Sequence, residues 1–236
     1  MKFAAVPLAV LAAAMCCLAA PSQTTLNNGN QLSNGKIGQL TWEASGVLKT
    51  PCTDSKIAIG NCYSLSLSKN PKTNLDTNHL DSPRQRNEFR VPYGAAGETR
   101  TYSWKQYLYS STGSGSSFFH LMQVLDYNTL QPVITLDARN GRVQIESSTL
   151  CRSGCPSIPM SSYTDRTTLH SMRITYGPSG SLTYTVSDAQ TKNTLITYST
   201  KGALGSSKTA VKFGTYRSAY QGMTAVLAGV GDYTQA

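Results

Sequence analysis

The sequence predicts an all-β protein, folded as a single β-jelly-roll domain in which two sheets pack as a sandwich with a concave cleft. Short stretches rich in Val, Ile, Thr, Tyr and Phe recur along the chain, and clusters of Gly, Pro, Asn and Ser separate them. No segment carries a long apolar repeat with the 3.6-residue period of a helix. About a dozen strands in one domain favour a sandwich or a jelly roll.

The chain begins with a segment that has the features of a secretory signal peptide. Lys2 precedes an apolar run from Phe3 to Leu18, and small residues follow the run. The run is short for a transmembrane helix and lacks a basic stop-transfer flank. We therefore expect a signal peptide over residues 1–20, one domain over residues 21–236, and a secreted protein with no membrane partner.

The predicted strands follow one another with turn residues between them. They occupy residues 62–68, 87–93, 99–108, 117–126, 132–138, 142–148, 170–177, 181–189, 194–199, 210–216 and 224–233. Asn140-Gly141 separates two of these strands and predicts a two-residue hairpin turn, and residues 174–184 predict a second hairpin with a longer turn. The Ser- and Gly-rich stretch 110–117 is interpreted as a loop between strands.

Four cysteines remain after the predicted signal peptide, and they allow three pairings. They are Cys52, Cys62, Cys151 and Cys155. The two local pairs are favoured because each closes a short loop, and an oxidising compartment suits disulfides. Zinc is the alternative, although neither spacing is the two-residue spacing of common zinc knuckles.

The charge balance is strongly basic. The chain has 21 Lys and Arg against 12 Asp and Glu, a net charge of +9, and loss of Lys2 with the signal peptide would leave +8. This excess suits an acidic partner. No recognition motif for nucleic acid is present, and an acidic extracellular polysaccharide fits the predicted compartment better. A basic surface with no ligand is the open alternative.

Residues 84–90, with the sequence RQRNEFR, place charged side chains on one face of a predicted strand. With a period of two, Arg84, Arg86, Glu88 and Arg90 all point to the same side. Glu88 lies between arginines, so we expect a structural ion pair with a low pKa and a poor general acid. Motifs of serine hydrolases and zinc proteases are absent.

Three stretches together resemble the motifs of jelly-roll polysaccharide lyases. RNEFR (86–90), HLMQV (120–124) and KFGTY (212–216) are similar, in the same order, to the Arg-x-Glu-x-Arg, Gln-containing and Lys-x-Gly-x-Tyr strands of family 7 alginate lyases. The second motif of that family is Gln-Ile-His. Here Val124 and Leu125 follow Gln123, so the histidine of that position is missing.

The whole domain resembles more closely the fungal glucuronan lyases, polysaccharide lyase family 20, which share the concanavalin-like sandwich. Size, secretion, the FFHLMQV strand and the late tyrosine strand carry this resemblance. It implies cleavage of β-1,4-linked polyglucuronate by β-elimination, with Gln123 and Tyr216 as the central pair. It also implies a monomer that needs no cofactor for catalysis.

The chemistry of elimination suits these residue types. The proton on C5 of a uronate becomes acidic when the neighbouring carboxylate is neutralised, and Gln123, Arg86 and Arg90 offer donors for this. In glucuronate the C5 proton and the C4 oxygen lie on the same face of the ring, so Tyr216 alone is expected to act as base and acid. Lys212, on the same strand face, is expected to lower the pKa of Tyr216.

Other residues have supporting roles in this interpretation. His79 lies in a polar loop and is a candidate helper base, and Tyr220 is a candidate for a substrate subsite. His120 has the opposite parity to Gln123, so a regular strand would turn it to the core or the back face. Gly214 would leave room for a sugar. Trp104 would either stack on a sugar or lie in the core.

The resemblance also implies a structural calcium ion away from the cleft. Glu43 and Asp232 lie near the two ends of the mature chain and are its candidate ligands. No compact motif of oxygen ligands is present.

Three other functions remain open. An alginate lyase-like activity uses the same chemistry on another uronate. A non-catalytic carbohydrate-binding jelly roll would share the fold, the charge and the aromatic residues. A glycoside hydrolase would need two carboxylates facing one cleft.

Overall fold

The computed structural model describes residues 22–151 and 154–236, and the predicted signal peptide lies outside the described residues. The strands are β1 (Thr24–Asn28), β2 (Ser33–Ile37), β3 (Leu40–Ala44), β4 (Val47–Thr50), β5 (Cys62–Leu67), β6 (Arg84–Arg90), β7 (Thr99–Leu108), β8 (Phe119–Asp126), β9 (Gln131–Arg139), β10 (Arg142–Glu146), β11 (Ser157–Pro159), β12 (Thr167–Thr175), β13 (Gly177–Asp188), β14 (Thr194–Leu204), β15 (Thr209–Ser218) and β16 (Val226–Gln235). The helices in this part of the chain are two short 3₁₀ turns, Thr77–His79 and Met160–Ser162. No helix within the described ranges is long and apolar enough to span a membrane.

The strands form two antiparallel eight-stranded sheets packed as a sandwich, which confirms the predicted jelly-roll class. The first sheet has the order β1-β4-β5-β16-β7-β12-β13-β14. The second has the order β11-β10-β9-β8-β15-β6-β3-β2 and is called the cleft sheet below. The three motif-bearing strands β8, β15 and β6 are neighbours at the centre of the cleft sheet.

The sequence located the later strands better than the earlier ones. The predicted strand 99–108 has the same bounds as β7, and the other predicted strands overlap observed ones. Strands β1 to β4 and β11 were not predicted. β1 (TTLNN) and β2 (SNGKI) contain few apolar residues, because they lie at or near sheet edges and little of their surface meets the core.

Both predicted hairpins are present. Arg139 pairs with Arg142 across the turn between β9 and β10, and Asn140 and Gly141 there have φ values of 50° and 73°. Two consecutive positive φ values are what a two-residue hairpin turn requires, and Asn-Gly adopts them at low cost. The second hairpin joins β12 and β13.

The core between the sheets is rich in aromatic rings. Trp104 is fully buried, and its ring stacks on His170 at 4.8 Å and on Phe213 at 4.9 Å between centroids. Trp104 is therefore a core residue and does not stack on a sugar. Burial lowers the pKa of His170 to about 3, so the imidazole is neutral and bonds to Tyr184 at 2.6 Å.

The cysteines form the two local disulfides that the sequence favoured. Cys52 is bonded to Cys62 at the start of β5, and Cys151 is bonded to Cys155 in the segment before β11. The zinc alternative is wrong, because all four sulfur atoms are in disulfide bonds.

Irregular pairing at the centre of the cleft sheet sets which side chains enter the cleft. Gln123 and His120 of β8 pair with Thr135 and Asp137 of β9, so β8 has one extra residue there. Gln123 and His120 also pair with Lys212 and Tyr216 of β15. Between these two pairs, β15 has one residue more than β8. Each extra residue forms a β-bulge. Leu121 and Met122 both point into the core as a result.

Candidate active site

A cleft of about 610 Å³ opens on the cleft sheet where β6, β15 and β8 lie side by side. Its charged and polar lining consists of Glu43, Asn78, His79, Arg84, Arg86, His120, Gln123, Gln131, Lys212 and Tyr216. The structure thus brings Arg86, Gln123, Tyr216, Lys212 and His79 into one cleft, as the sequence predicted. It does not bring Arg90 or Tyr220 there.

Arg86 is buried beneath the cleft and surrounded by carboxylates. Its guanidinium donates to Glu43 at 2.5 Å and to Asp76, and Glu88 lies 3.9 Å away. Burial disfavours the charge, but Glu88 and Glu43 outweigh that effect and raise the pKa of Arg86 above its ordinary value. The guanidinium lies 4.3 Å from the ring centre of Tyr216. Arg86 therefore links the carboxylates beneath the cleft and packs against the ring of Tyr216.

Glu88 is an acceptor at the floor of the cleft. Lys212 Nζ donates to it at 2.6 Å and Gln123 Nε2 at 2.7 Å. Burial alone would raise its pKa, but Lys212 and Arg86 outweigh burial and lower the pKa of Glu88 below its ordinary value. The expected structural ion pair is therefore present. One amide N–H of Gln123 is used by Glu88, and the second is left for a ligand.

Tyr216 lies between cations but is not made acidic by them. Arg84 Nη1 donates to its hydroxyl at 2.9 Å. Burial raises the pKa of Tyr216 above its ordinary value, and the opposing effects of Arg86 and Arg84 do not cancel it. The expectation of a lowered pKa is wrong, because desolvation exceeds the attraction of the arginines. The hydroxyl therefore carries its proton at neutral pH.

His120 lines the cleft together with Gln123, contrary to the prediction from strand parity. The bulge at Leu121 and Met122 adds one residue between them, so two side chains three positions apart reach the same face. His120 Nδ1 bonds to Asp137 at 2.6 Å, and the ring centre lies 5.8 Å from that of Tyr216. Parity failed here because it assumes an uninterrupted ladder.

Asp137 fixes the orientation of His120. Its carboxylate is fully buried and also accepts the backbone N–H of Phe119 at 3.2 Å and the hydroxyl of Thr135. Within the described ranges, no Lys or Arg side chain pairs with Asp137, and His120 is its partner in the cleft. A carboxylate held in this way stabilises the positive charge that an imidazole gains when it accepts a proton.

His79 forms a second histidine–carboxylate pair in the cleft. Its Nδ1 bonds to Asp76 at 2.7 Å, and Asp76 also accepts from Arg86. Asp76 caps the 3₁₀ turn that carries the histidine. This turn places the ring at the cleft, as the prediction of a loop-borne helper base requires.

Three other predicted site residues have different surroundings from those expected. Arg90 lies in an adjoining cavity and stacks on Tyr93. Tyr220 lies beyond β15 and packs against the loop at Gly115. Gly214 has a φ of 137°, and a Cβ there would lie 2.3 Å from the carbonyl oxygen of Asn87. Glycine is therefore required at this position because the backbone of β6 lies too close for a side chain, and not because a sugar binds there.

The two candidate calcium ligands have other partners in the structure. Glu43 belongs to β3 in the cleft sheet and pairs with Arg86, whereas Asp232 belongs to β16 in the other sheet and pairs with Lys105 at 2.9 Å. The two carboxylates therefore do not share a site. Across residues 22–151 and 154–236, no cluster of three or more His, Cys, Asp or Glu has an arrangement that would hold a metal ion.

Several solved structures have the same fold at low sequence identity. The endo-β-1,4-glucuronan lyase from the fungus Trichoderma reesei superposes with a TM-score of 0.53 at 10% identity, covering 92% of this chain and 95% of that one. A variant of family 7 alginate lyase A1-II′ in complex with substrate gives 0.52 at 13% identity, covering 78% and 82%. Alginate lyase AlgAT5 of the same family gives 0.50 at 10% identity, covering 74% and 77%. No family model and no curated protein sequence matches this chain.

The structure adds residues that the sequence did not single out for these roles. Arg84 was seen as part of the arginine row, yet it is the arginine that binds the Tyr216 hydroxyl. Asp76 and Asp137 were not considered. Asp76 stands three residues before His79, which is the spacing of a local Asp–His pair. Asp137 lies on another strand from His120, and no local pattern reveals that pairing.

Proposed function

We propose that this protein is a secreted polysaccharide lyase that cleaves a polyuronate by β-elimination, with β-1,4-glucuronan as the first candidate substrate. The observation that carries the proposal is the convergence of Tyr216, Gln123 and His120 in one cleft that Arg84 and Lys212 also line. The jelly-roll fold shared with polysaccharide lyases supports it at the level of fold. The predicted signal peptide and the two disulfides support secretion.

The substrate carboxylate is held by neutral and cationic donors. The free amide N–H of Gln123 and the guanidinium of Arg84 face the cleft, and Lys212 lies beside Gln123 in the strand ladder. These donors stabilise the negative charge that spreads onto the carboxylate when the C5 proton leaves. Arg86, engaged by three carboxylates, contributes through the position of Tyr216.

Tyr216 and His120 together move the protons. Since Tyr216 is neutral at rest, His120 accepts the hydroxyl proton and Asp137 stabilises the resulting imidazolium. The phenolate takes the C5 proton, the electron pair forms the C4–C5 double bond, and the re-formed phenol gives its proton to the departing C4 oxygen. His120 then returns its proton to Tyr216, so protons and electrons balance over the cycle. In glucuronate both transfers occur on one face of the ring, which a single tyrosine can serve.

A second candidate is elimination at the C5-epimeric uronate of alginate. There the C5 proton and the C4 oxygen lie on opposite faces, so base and acid must be different groups. The presence of His79 in addition to His120 favours this candidate, because each imidazole is oriented by a buried aspartate.

A panel of acidic polysaccharides tests the proposal. We expect glucuronan, and to a smaller degree alginate, to yield products whose C4–C5 double bond absorbs in the ultraviolet, whereas pectate and neutral glucans yield none. Binding without new absorbance on every polyuronate would instead identify a carbohydrate-binding protein. New reducing ends without absorbance would identify a hydrolase.

A further inference from the structure

A second cavity of about 350 Å³ adjoins the cleft on the side of β3 and β2. It shares Glu43, Tyr127 and Lys212 with the cleft, so the two cavities are continuous. Its other charged lining residues are Lys36, Glu88 and Arg90. A polymer that extends from the cleft on this side would therefore enter the second cavity.

Two cations of the second cavity differ in their partners from Arg86 and Lys212. Arg86 and Lys212 are each bonded to carboxylates. By contrast, Arg90 and Lys36 have no carboxylate within 4.0 Å among the residues that the structure describes. The hydrogen bond of the Arg90 side chain is a 3.4 Å contact with the carbonyl oxygen of Val91. These two cations are free to bind an anion.

Aromatic rings hold Arg90 in place. Its guanidinium lies 4.2 Å from the ring centre of Tyr93 and 5.7 Å from that of Tyr127. Lys208 Nζ lies 4.9 Å from the same Tyr93 ring. Two cations that share one ring repel each other unless an anion lies near them. The rings also restrict the Arg90 side chain, which reduces the conformational entropy it loses when it binds an anion.

Arg90 is too far along its strand to serve the sugar at Tyr216. Arg86 is the ladder partner of Tyr216, and Arg90 follows it on β6. Four residues of strand span roughly 13 Å. Arg90 therefore meets a different unit of the polymer.

A third cavity, of about 690 Å³, adjoins the cleft on the opposite side and shares His120, Gln131 and Pro132 with it. Among the described residues, its acidic lining side chains are Asp137 and Glu146, and Glu146 is paired with Arg139 at 3.4 Å. Arg90 and Lys36 lie on the other side of the cleft, in the second cavity.

We propose that the second cavity is a uronate subsite in which Arg90 and Lys36 bind the carboxylate of a unit adjoining the one that is cleaved, with Tyr127 as its wall. This inference rests on the proposed function and extends it to specificity. The protein therefore requires uronates in at least two closely spaced units, the one that is cleaved and the one on the Arg90 side.

Binding measured without turnover tests the subsite. The Tyr216→Phe variant is titrated by calorimetry with a glucuronate hexamer and with its carboxyl-reduced form. Arg90→Ala and Lys36→Ala are added to this background, with Arg90→Lys to separate charge from packing. Arg173→Ala is the control, because Arg173 is an exposed cation on β12 in the other sheet.

We expect Arg90→Ala to weaken binding of the hexamer about tenfold, the size of one lost charge-assisted hydrogen bond, and Lys36→Ala to weaken it less. Arg90→Lys should retain part of the affinity, and Arg173→Ala all of it. Arg90→Ala binding as tightly as Arg173→Ala would overturn the subsite and leave the lyase proposal standing. Failure of wild-type and variant proteins to bind any uronate oligomer would overturn both.

Discussion

His120 and Tyr216 are partners across the β8–β15 ladder, with their ring centres 5.8 Å apart at the bottom of the cleft. One ring is oriented by a buried carboxylate and the other by an arginine that donates to its hydroxyl at 2.9 Å. In the proposed mechanism this acceptor and this donor exchange a proton.

Tyr216→Phe should lower kcat by about 10²–10⁴-fold, the usual contribution of general acid–base catalysis. The change removes one oxygen and keeps the ring that packs on Arg86 and Phe118. The initial rate of ultraviolet absorbance on glucuronan measures the effect. Tyr233→Phe, on the other sheet, is the matched control and should keep wild-type activity. A folded Tyr216→Phe protein with near wild-type kcat would refute the assignment.

His120→Ala and Asp137→Asn should both lower kcat with little change in KM. His120→Ala removes the proton acceptor. Asp137→Asn removes the charge that stabilises the protonated imidazole and disturbs the orientation of its ring. His79→Ala should have the smaller effect on glucuronan. Initial rates over a range of glucuronan concentrations separate kcat from KM and measure each effect. If His79→Ala abolishes turnover and His120→Ala does not, His79 is the base.

Glu88→Ala should destabilise the fold by roughly 3–5 kcal/mol, because it leaves Lys212 buried without its carboxylate. Replacing both partners, as Glu88→Ala with Lys212→Met, should cost less than the single change. Urea unfolding of the wild type and of the single and double variants measures the three free energies. Equal stability of the single variant and the wild type would show that the pair is dispensable to the fold.

The stability of the fold should fall as the pH drops from 7 to 5. His170 has a pKa of about 3 in the folded protein because of burial, whereas an unfolded histidine has a pKa near 6.5. The unfolded chain therefore gains a proton first, and the penalty at pH 5 is about 2 kcal/mol. His170→Gln should show a weaker pH dependence in urea unfolding than the wild type. An unchanged dependence would show that other groups cause it.

The sequence was sufficient for the features that depend on regular alternation. The positions of the later strands, the Asn-Gly hairpin and the local disulfides follow from spacing and residue type. The convergence of Arg86, Gln123 and Tyr216 was expected from the resemblance to the lyase motifs. The edge strands β1 and β2 were missed because so little of their surface is buried that their sequences carry no alternating apolar pattern.

The electrostatic balance of the cleft could not be predicted from the motifs. The motifs show that cations surround Tyr216 but not that the ring is buried, and burial decides the direction of its pKa shift. In the same way, the arginine row looks uniform in sequence. Its members differ because Arg86 faces Glu43 and Asp76, from other parts of the chain, while Arg90 meets tyrosine rings.

The bulge at Leu121 and Met122 also bears on how sequence patterns are compared. The extra residue lets a histidine three positions before the cleft glutamine face the same side, where an uninterrupted strand would turn it away. Searches that demand an even spacing between glutamine and histidine would pass over a chain with such a bulge.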